Sequence, residues 1–372
     1  MVLGAGTAAQ ASYSAIWFGV SVIAPALRDR YGLSLAETGV LIGATLLGSI
    51  PTLIPWGLLA DRFGERIVLG AGLGSCGATL LVAAEARPFW LLAVLLVIAG
   101  GAGASVQSAS GLAVIRWFSP ARRGLALGIR QTAIPIGGFS ASLMLPHVAP
   151  VWAFRILGLT CLTAATLGAM LVREGPIPPD AVPSGSGAPL RDRRIWRLSS
   201  ASALLLWPQM CVVGFMVLFL HDRRGLTTGH AAAALAAVQV LGILARVSSG
   251  AWSDAIGSRL IPLQRIALAL ALSTAAAATL VVHAPLGVVI PTLLVTGGLA
   301  MSWNGLSFTA AAELAGGARA GAAIGVQQAI INTTASVLPP AFGALVGAGG
   351  WTLGFALVAL GPLASFYALK RI

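Results

Sequence analysis

Three arginines lie inside long apolar stretches of this sequence, where a charge is expensive: Arg130, Arg155 and Arg246. A charged side chain at the centre of a bilayer costs at least about 2.5 kcal/mol, so such a residue usually has a function. A guanidinium can grip a carboxylate through two parallel hydrogen bonds. Arg130 and Arg246 are therefore candidates for binding an anion, with pairing to backbone carbonyls as the alternative. Arg155 lies one turn from a predicted span end, where its side chain can reach the surface.

The acidic residues support a positively charged site. The chain has 11 of them, and none falls in the middle of a predicted span. A buried positive charge without a carboxylate nearby favours anions and disfavours cations. It also argues against a buried carboxylate as a proton carrier; a counter-anion, a proton carried otherwise, or no accompanying ion remain open. No metal or cofactor site is expected, because the cysteines and histidines show no metal spacing.

Uncharged polar and aromatic residues within the predicted spans are further candidates for contacting a small molecule. They are Tyr13, Trp17, Gln107, Gln131, Trp207, Gln209, Trp303, Asn304, Gln328 and Asn332. Packing is the alternative for the aromatic side chains, and helix–helix hydrogen bonding is the alternative for the amides.

The composition identifies the elements that must position these residues. Of the 372 residues, 57% are hydrophobic and only 9% are charged, whereas a soluble domain carries roughly 25% charged residues. A spanning helix needs about 20 apolar residues. We therefore predict an all-α integral membrane protein with twelve transmembrane helices.

The apolar stretches and the breaks between them predict two halves. The predicted spans cover about 4–27, 38–60, 67–84, 89–115, 124–146, 151–172, 197–220, 230–252, 260–282, 286–312, 321–346 and 351–369. Residues 173–196 are rich in Pro, Gly, Ser and charge, which is typical of a flexible linker. The predicted organisation is a six-helix half over 1–172, a linker over 173–196 and a second six-helix half over 197–372.

The basic residues predict the orientation. Fifteen Lys and Arg fall on the loop side that contains the 173–196 linker, and five fall on the other side. By the positive-inside rule, the linker and both termini are cytoplasmic, in a bacterial plasma membrane. The net charge of +12 thus reflects topology, and no nucleic-acid partner is expected. The expected partners are the lipid bilayer and a small molecule, and we expect a monomer.

The stretch from Gly57 to Arg66 lies between two predicted spans. We expect Gly57 to let two helix backbones approach closely and Gly64 to adopt a turn conformation. Four charges are expected at the membrane surface: Asp61, Arg62, Glu65 and Arg66. A weaker copy lies 193 residues later, with equivalents of Gly57, Asp61, Gly64 and Arg66 at Gly250, Asp254, Gly257 and Arg259.

A second alignment extends the duplication. Residues 107–131 align with residues 304–328 at a shift of 197. Repeats at constant shifts indicate that the two halves are copies with the same orientation. Neither candidate arginine recurs, because Arg130 aligns with Gln327 and Arg246 aligns with Leu53.

These features together resemble the major facilitator superfamily, over nearly the whole chain. The stretch from Gly57 to Arg66 resembles the family's signature loop, and Gly250 to Arg259 resembles its degenerate copy. The resemblance implies a transporter of two six-helix halves that works by alternating access. It also implies that Asp61 is a conformational latch, since a carboxylate is stabilised at a helix N-terminus.

Within that family, the stretch from Trp117 to Gln131 is most similar to the carriers of small anions and organic acids. We therefore predict a secondary transporter of a small organic (carboxylate) or inorganic anion. The alternative is an efflux pump for neutral or amphipathic compounds, in which the arginines are structural. An enzyme is not expected, because no cluster of acid, base or metal groups lies at depth.

Overall fold

The structure is a computed structural model. It describes residues 2–107, 120–171, 192–316 and 320–372. At residues 2, 3, 61, 120–130 and 320–322 only the backbone is described. The described residues are almost entirely helical and contain no strand, as the composition predicts.

The described residues form two compact units. The first contains residues 2–33, 40–107 and 120–171, and the second contains residues 34–39, 192–316 and 320–372. The helices that begin before the gap at 172–191 are α1 Val2–Val22, α2 Ala24–Tyr31, α3 Leu35–Phe63, α4 Glu65–Ala84, α5 Phe89–Gly103, α6 Pro120–Met144 and α7 Pro150–Leu171. The later helices are α8 Arg193–Pro208, α9 Gly214–Asp222, α10 Thr228–Ile256, α11 Leu260–Leu280, α12 Leu286–Ser302, α13 Asn304–Ala315 and α14 Ala320–Leu369.

Nine helical segments of the described part are long and apolar enough to cross a membrane. One of them, Ala323–Leu369, is 47 residues long and contains two predicted spans. It is interrupted at Gly350, whose φ of 79° is not helical. Many large apolar side chains point outwards, among them Ile54, Met170 and Leu244. Such a surface is stable when it faces lipid rather than water.

Several predicted spans are interrupted within the described residues, among them span 4, in which α5 ends at Gly103 and the helix resumes after Ala104. Span 1 breaks at Ile23, between α1 and α2, and span 10 breaks at Trp303, between α12 and α13. Span 7 contains a π-helical segment, Gln209–Val213, between α8 and α9. It directly follows Pro208, which cannot donate a helical hydrogen bond. These breaks release backbone groups from the regular ladder, and those in spans 7 and 10 lie beside residues that the sequence singled out.

The first helix after the linker begins earlier than the sequence predicted. α8 starts at Arg193, four residues before the predicted start at 197. The reason is a helix cap: the Asp192 carboxylate accepts a hydrogen bond from the backbone N–H of Arg194 at 2.8 Å. An aspartate at this position stabilises the helix start, because it satisfies a backbone donor that has no helical partner.

The helix packing of the two units repeats at the shifts found in the sequence. A Cβ atom on Gly100 of α5 would collide with the Thr45 carbonyl of α3, which shows how closely the two backbones approach. The corresponding Gly297 of α12 lies against Val238 of α10. Thr45 and Val238 are 193 residues apart, and Gly100 and Gly297 are 197 apart. The same helix contact is therefore built twice, as expected for a duplicated fold.

Candidate functional site

The signature loop of the first unit is a tight turn between α3 and α4. Gly64 has a φ of 84°, the conformation predicted for it. Arg62 and Arg66 are exposed, as expected for a membrane surface. The side chain of Asp61 lies outside the described part.

Two expectations for this loop were wrong. Glu65 is buried, with 1% of its surface exposed, although it was predicted to be a surface charge. It occupies the first turn of α4, where the helix dipole stabilises a carboxylate. A Cβ atom on Gly57 would meet no described atom within 4 Å, so Gly57 makes no close helix–helix contact with the described residues. The residue pattern could not show this, because the space beside a glycine depends on the neighbouring helix.

The second copy of the loop carries a network of charges. Gly257 has a φ of 61° and ends α10. The Arg259 guanidinium pairs with the Asp254 carboxylate, and its Nε donates to Glu313 Oε1 at 3.0 Å. These two carboxylates raise the pKa of Arg259 above its usual value. Gly250, like Gly57, faces open space. The network ties the end of α10 to the end of α13.

Arg246 lies at the break between α12 and α13. It is ten residues from the end of α10, which places it about 15 Å along the helix axis. α10 extends four residues beyond the predicted span end at 252, to Ile256. The Arg246 Nε donates to the Met301 carbonyl at 2.8 Å. One turn away, Ser249 Oγ donates to the Ser302 carbonyl at 3.0 Å.

These two contacts satisfy carbonyls that the break removes from the regular helix ladder. The bond from Arg246 is the carbonyl pairing given above as the alternative to anion binding. It uses Nε, one of the five N–H donors of a guanidinium. A carbonyl oxygen has no formal charge, so this contact positions the guanidinium without neutralising it.

The break brings two further predicted residues next to Arg246. Trp303 is completely buried at the break, and its Nε1 has no hydrogen-bond partner among the described residues. Asn304 begins α13 and is half-buried, and its Oδ1 likewise has no described partner. Arg246 thus contacts the helix break at which Trp303 and Asn304 lie.

The sequence analysis missed Gln239, which lies seven residues before Arg246 on the same face of α10. It is completely buried, and neither atom of its amide has a hydrogen-bond partner among the described residues. Buried amides are usually satisfied, so this one marks a polar interior. Its spacing from Arg246 was the signal that could have identified it.

A closed polar cluster joins three helices of the second unit. Gln327 Nε2 donates to Ser202 Oγ of α8 at 2.8 Å and also to Ser307 Oγ of α13. The two serine hydroxyls bond to each other, and all three side chains are buried. Gln327 belongs to α14 and is the residue that aligns with Arg130.

The remaining candidates of the second unit are spread over other helix contacts. Gln328 and Asn332 bond to each other along α14 at 2.7 Å. Trp207 lies against Gly361, at the contact between α8 and α14. Gln209 is buried at the start of the π-helical segment, and its Oε1 has no described partner.

In the first unit, Tyr13 and Trp17 of α1 are buried, with 6% and 9% of their surfaces exposed. The Tyr13 hydroxyl donates to the Gly100 carbonyl at 3.1 Å, so it joins α1 to α5. This is the packing given above as the alternative for the aromatic candidates. Gln107 and Gln131 are half-buried. Arg130 lies ten residues from the start of α6, and its side chain is outside the described part.

Arg155 has a surface environment. It pairs with Glu85 at 2.6 Å and stacks over the Trp152 ring at 4.8 Å. Both charged side chains are substantially exposed, which agrees with the prediction that Arg155 reaches the surface.

Comparisons with known proteins identify the fold and its family. Residues 7–337 match the model of the Major Facilitator Superfamily. An uncharacterized MFS-type transporter of Mycobacterium tuberculosis is 34% identical over 358 residues, which cover 93% of this chain and 79% of the relative. A probable sulfoacetate transporter of Cupriavidus necator is 26% identical over 383 residues, which cover 94% of this chain and 88% of that relative.

Among solved structures, a bacterial homolog to the human lysosomal transporter Spinster has the same fold. Its TM-score is 0.79 at 16% identity, and the match covers 100% of this chain and 94% of the other. The fold has twelve helices in two halves, and the described helices follow it. The chain is therefore a multi-pass membrane protein of the major facilitator superfamily, a transporter of small molecules and not an enzyme.

Proposed function

We propose that this transporter carries a small organic (carboxylate) or inorganic anion by alternating access. The observation that supports the proposal is the position of Arg246, a cation about 15 Å from the end of its helix. Holding a charge at this depth is costly, and the cost is offset when an anion binds there. Arg130, at the same distance from the start of α6, is proposed as the second anion-binding charge.

The distribution of carboxylates also favours an anion. Every described carboxylate lies within two residues of a helix end, so none reaches the depth of Arg246. A cationic substrate would have no opposite charge to meet at that depth. The similarity to a probable sulfoacetate transporter supports the same class, because the named solute carries a carboxylate and a sulfonate.

The surroundings of Arg246 suit a small polar anion. Trp303 Nε1 and the Gln239 amide are buried donors with no described partner, and both lie on elements that contact Arg246 or carry it. We propose that they line the polar interior in which the anion binds, together with Asn304. The Met301 carbonyl fixes the plane of the guanidinium, so less conformational freedom is lost when the anion binds.

The proposal extends to the membrane and the conformational cycle. We propose a bacterial plasma membrane location with both termini in the cytoplasm, from the excess of basic residues on that side. The halves are proposed to span 1–172 and 197–372, joined by the 173–196 linker. Asp61, with the rest of its loop and the copy at Gly250–Arg259, is proposed as the latch. We assign no coupling proton or counter-anion.

The test is anion binding by purified full-length protein, measured by thermal stabilisation and by uptake into proteoliposomes. The panel contains sulfoacetate, small carboxylates, sulfate and phosphate. Arg246→Gln should weaken binding by at least about thirtyfold, because losing one charged hydrogen-bond partner costs roughly 2 kcal/mol or more. Arg246→Lys should weaken binding less than Arg246→Gln does, since lysine keeps the charge but lacks the planar guanidinium. Arg130→Gln should abolish saturable uptake.

Arg155→Gln is the matched control, because it removes an arginine that pairs with Glu85 at the surface. It should bind and transport like the unmodified protein. Unchanged anion uptake in folded Arg246→Gln and Arg130→Gln variants would refute the site. Saturable binding of neutral amphipathic compounds, with no response to any anion, would favour the efflux alternative.

A further inference from the structure

One end of the second unit carries a group of basic side chains that substrate transport does not explain. Arg193 and Arg197 lie one turn apart on α8, while Lys370 and Arg371 follow the last turn of α14. We call these four residues the basic cluster. The two helix ends are joined directly, because Arg197 Nη1 donates to the Arg371 carbonyl at 3.0 Å.

The carboxylates near the basic cluster are already engaged. Asp192 pairs with Arg194. Asp254 and Glu313, at the same end of the unit, both pair with Arg259. No described carboxylate therefore pairs with the four residues of the cluster. Like charges held together without counter-charges repel one another, so the arrangement favours binding of an anion from outside the protein.

The aromatic neighbours indicate where the cluster lies. Trp196 and Tyr367 flank it, with 43% and 59% of their surfaces exposed. Lys370 Nζ lies over the Phe366 ring at 4.4 Å. Exposed Trp and Tyr at the ends of apolar spans are typical of the membrane interface, at the depth of the lipid headgroups. Spans end here on both sides of the cluster, at Arg193 and Leu369.

We propose that the basic cluster binds the headgroup of an anionic phospholipid, such as phosphatidylglycerol. The guanidinium and ammonium groups contact the phosphate, and the exposed aromatic side chains pack against the upper acyl chain. Several basic residues beside a transmembrane helix attract anionic lipid in this way. The bound lipid bridges α8 and α14, and it does so whichever solute the protein carries.

The experiment uses the full chain in lipid nanodiscs of phosphatidylcholine, with or without about one-fifth phosphatidylglycerol. Native mass spectrometry measures which lipid stays bound, and thermal unfolding measures stabilisation. We expect the unmodified protein to retain phosphatidylglycerol. Lys370→Gln/Arg371→Gln should weaken retention about thirtyfold, since two attractive charges are lost. Arg193→Gln is a second variant that leaves the Arg197 contact intact, and it should weaken retention by a smaller factor.

The matched control is Arg87→Gln/Arg223→Gln, which removes two exposed basic charges from loops that the sequence predicts to lie on the opposite side of the membrane. It should retain the lipid normally. An equal loss of phosphatidylglycerol retention in the two double variants would overturn the proposal, because it would show that the lipid responds only to the total charge of the protein. Retention of phosphatidylcholine as strongly as phosphatidylglycerol would also overturn it. So would equal stabilisation by soluble glycerol 3-phosphate, since the site would then bind a free phosphate.

Discussion

The Ser202–Ser307–Gln327 cluster allows a prediction about which of its members matters most for stability. The Ser202 hydroxyl donates to the Leu198 carbonyl at 2.7 Å, so its oxygen can only accept from the other two side chains. Ser307 then donates its hydroxyl to Ser202, and Gln327 donates one N–H to each serine. Every donor in the cluster has an acceptor, and Ser202 Oγ accepts two of the bonds.

Ser202→Ala therefore leaves buried hydrogen-bond donors without an acceptor. Ser307 can turn its hydroxyl to the carbonyl of Trp303, four residues earlier at the break before α13. Gln327 has no such choice, because it is completely buried. A buried donor without a partner costs about 1–3 kcal/mol.

Gln327→Met removes two donors but leaves each hydroxyl with its acceptor. It also removes Oε1, which is buried without a described partner. The net cost should be about 0–1 kcal/mol, because no new unsatisfied group is created.

The assay is thermal unfolding in detergent, followed by tryptophan fluorescence. Ser202→Ala should unfold a few degrees (about 2–4 °C) below Gln327→Met. Ser273→Ala is the control, since the one bond that Ser273 makes within the described residues is to the Leu270 carbonyl of its own helix, at 3.1 Å. It should change the unfolding temperature little. A drop for Gln327→Met as large as that for Ser202→Ala would refute this assignment of donors and acceptors.

Two further predictions concern backbone contacts. Gly100→Ala should destabilise the protein by about 1–3 kcal/mol or more, because the new Cβ would collide with the Thr45 carbonyl. Gly57→Ala is the control and should leave the unfolding temperature unchanged, because its new Cβ would meet no described atom. An equal loss of stability in the two variants would contradict the packing of Gly100 against Thr45. Asp192→Ala should lower the unfolding temperature at neutral pH, because the cap of α8 is lost. The hydrogen bonds from Arg194 lower the pKa of Asp192, so the capping contribution is present above the usual aspartate pKa and is lost as the pH falls through the lowered value. The difference in unfolding temperature between Asp192→Ala and the unmodified protein should therefore disappear only in strong acid. If that difference persisted in strong acid, it would contradict a role for the charged carboxylate.

The sequence predicted the spans well because most of them are long apolar stretches bounded by charge or proline, and the last two are separated by glycines that include Gly350. The interruptions were harder to predict. The π-helical segment follows Pro208, and a proline within a helix is a recognisable signal. The break at Trp303 has no such residue beside it. It is stabilised by Arg246 and Ser249 of another helix, so only the tertiary structure could show it.

The type of a residue predicted its burial and packing less reliably than its position in the chain did. Glu65 is charged and yet buried, while Gly57 is small and yet makes no close contact with the described part of the chain. In both cases the neighbouring helix decides the outcome. The contact of Gly100 was predictable in a different way, because Gly297 repeats it at the same shift of 197 as the aligned stretches. A helix contact that recurs in both halves of a duplicated sequence can therefore be predicted, whereas the type of a single residue does not predict one.

The same duplication bears on Arg130. At the equivalent position of the second unit, Gln327 joins α8, α13 and α14 through a neutral cluster. A neutral amide thus meets the packing needs of this position in one copy of the fold. If packing were the only requirement in the other copy, a neutral residue would serve there too, without the cost of placing a charge in the membrane. A cation at this position in only one copy is better explained by a solute than by the scaffold, and this favours Arg130 as part of an anion-binding site.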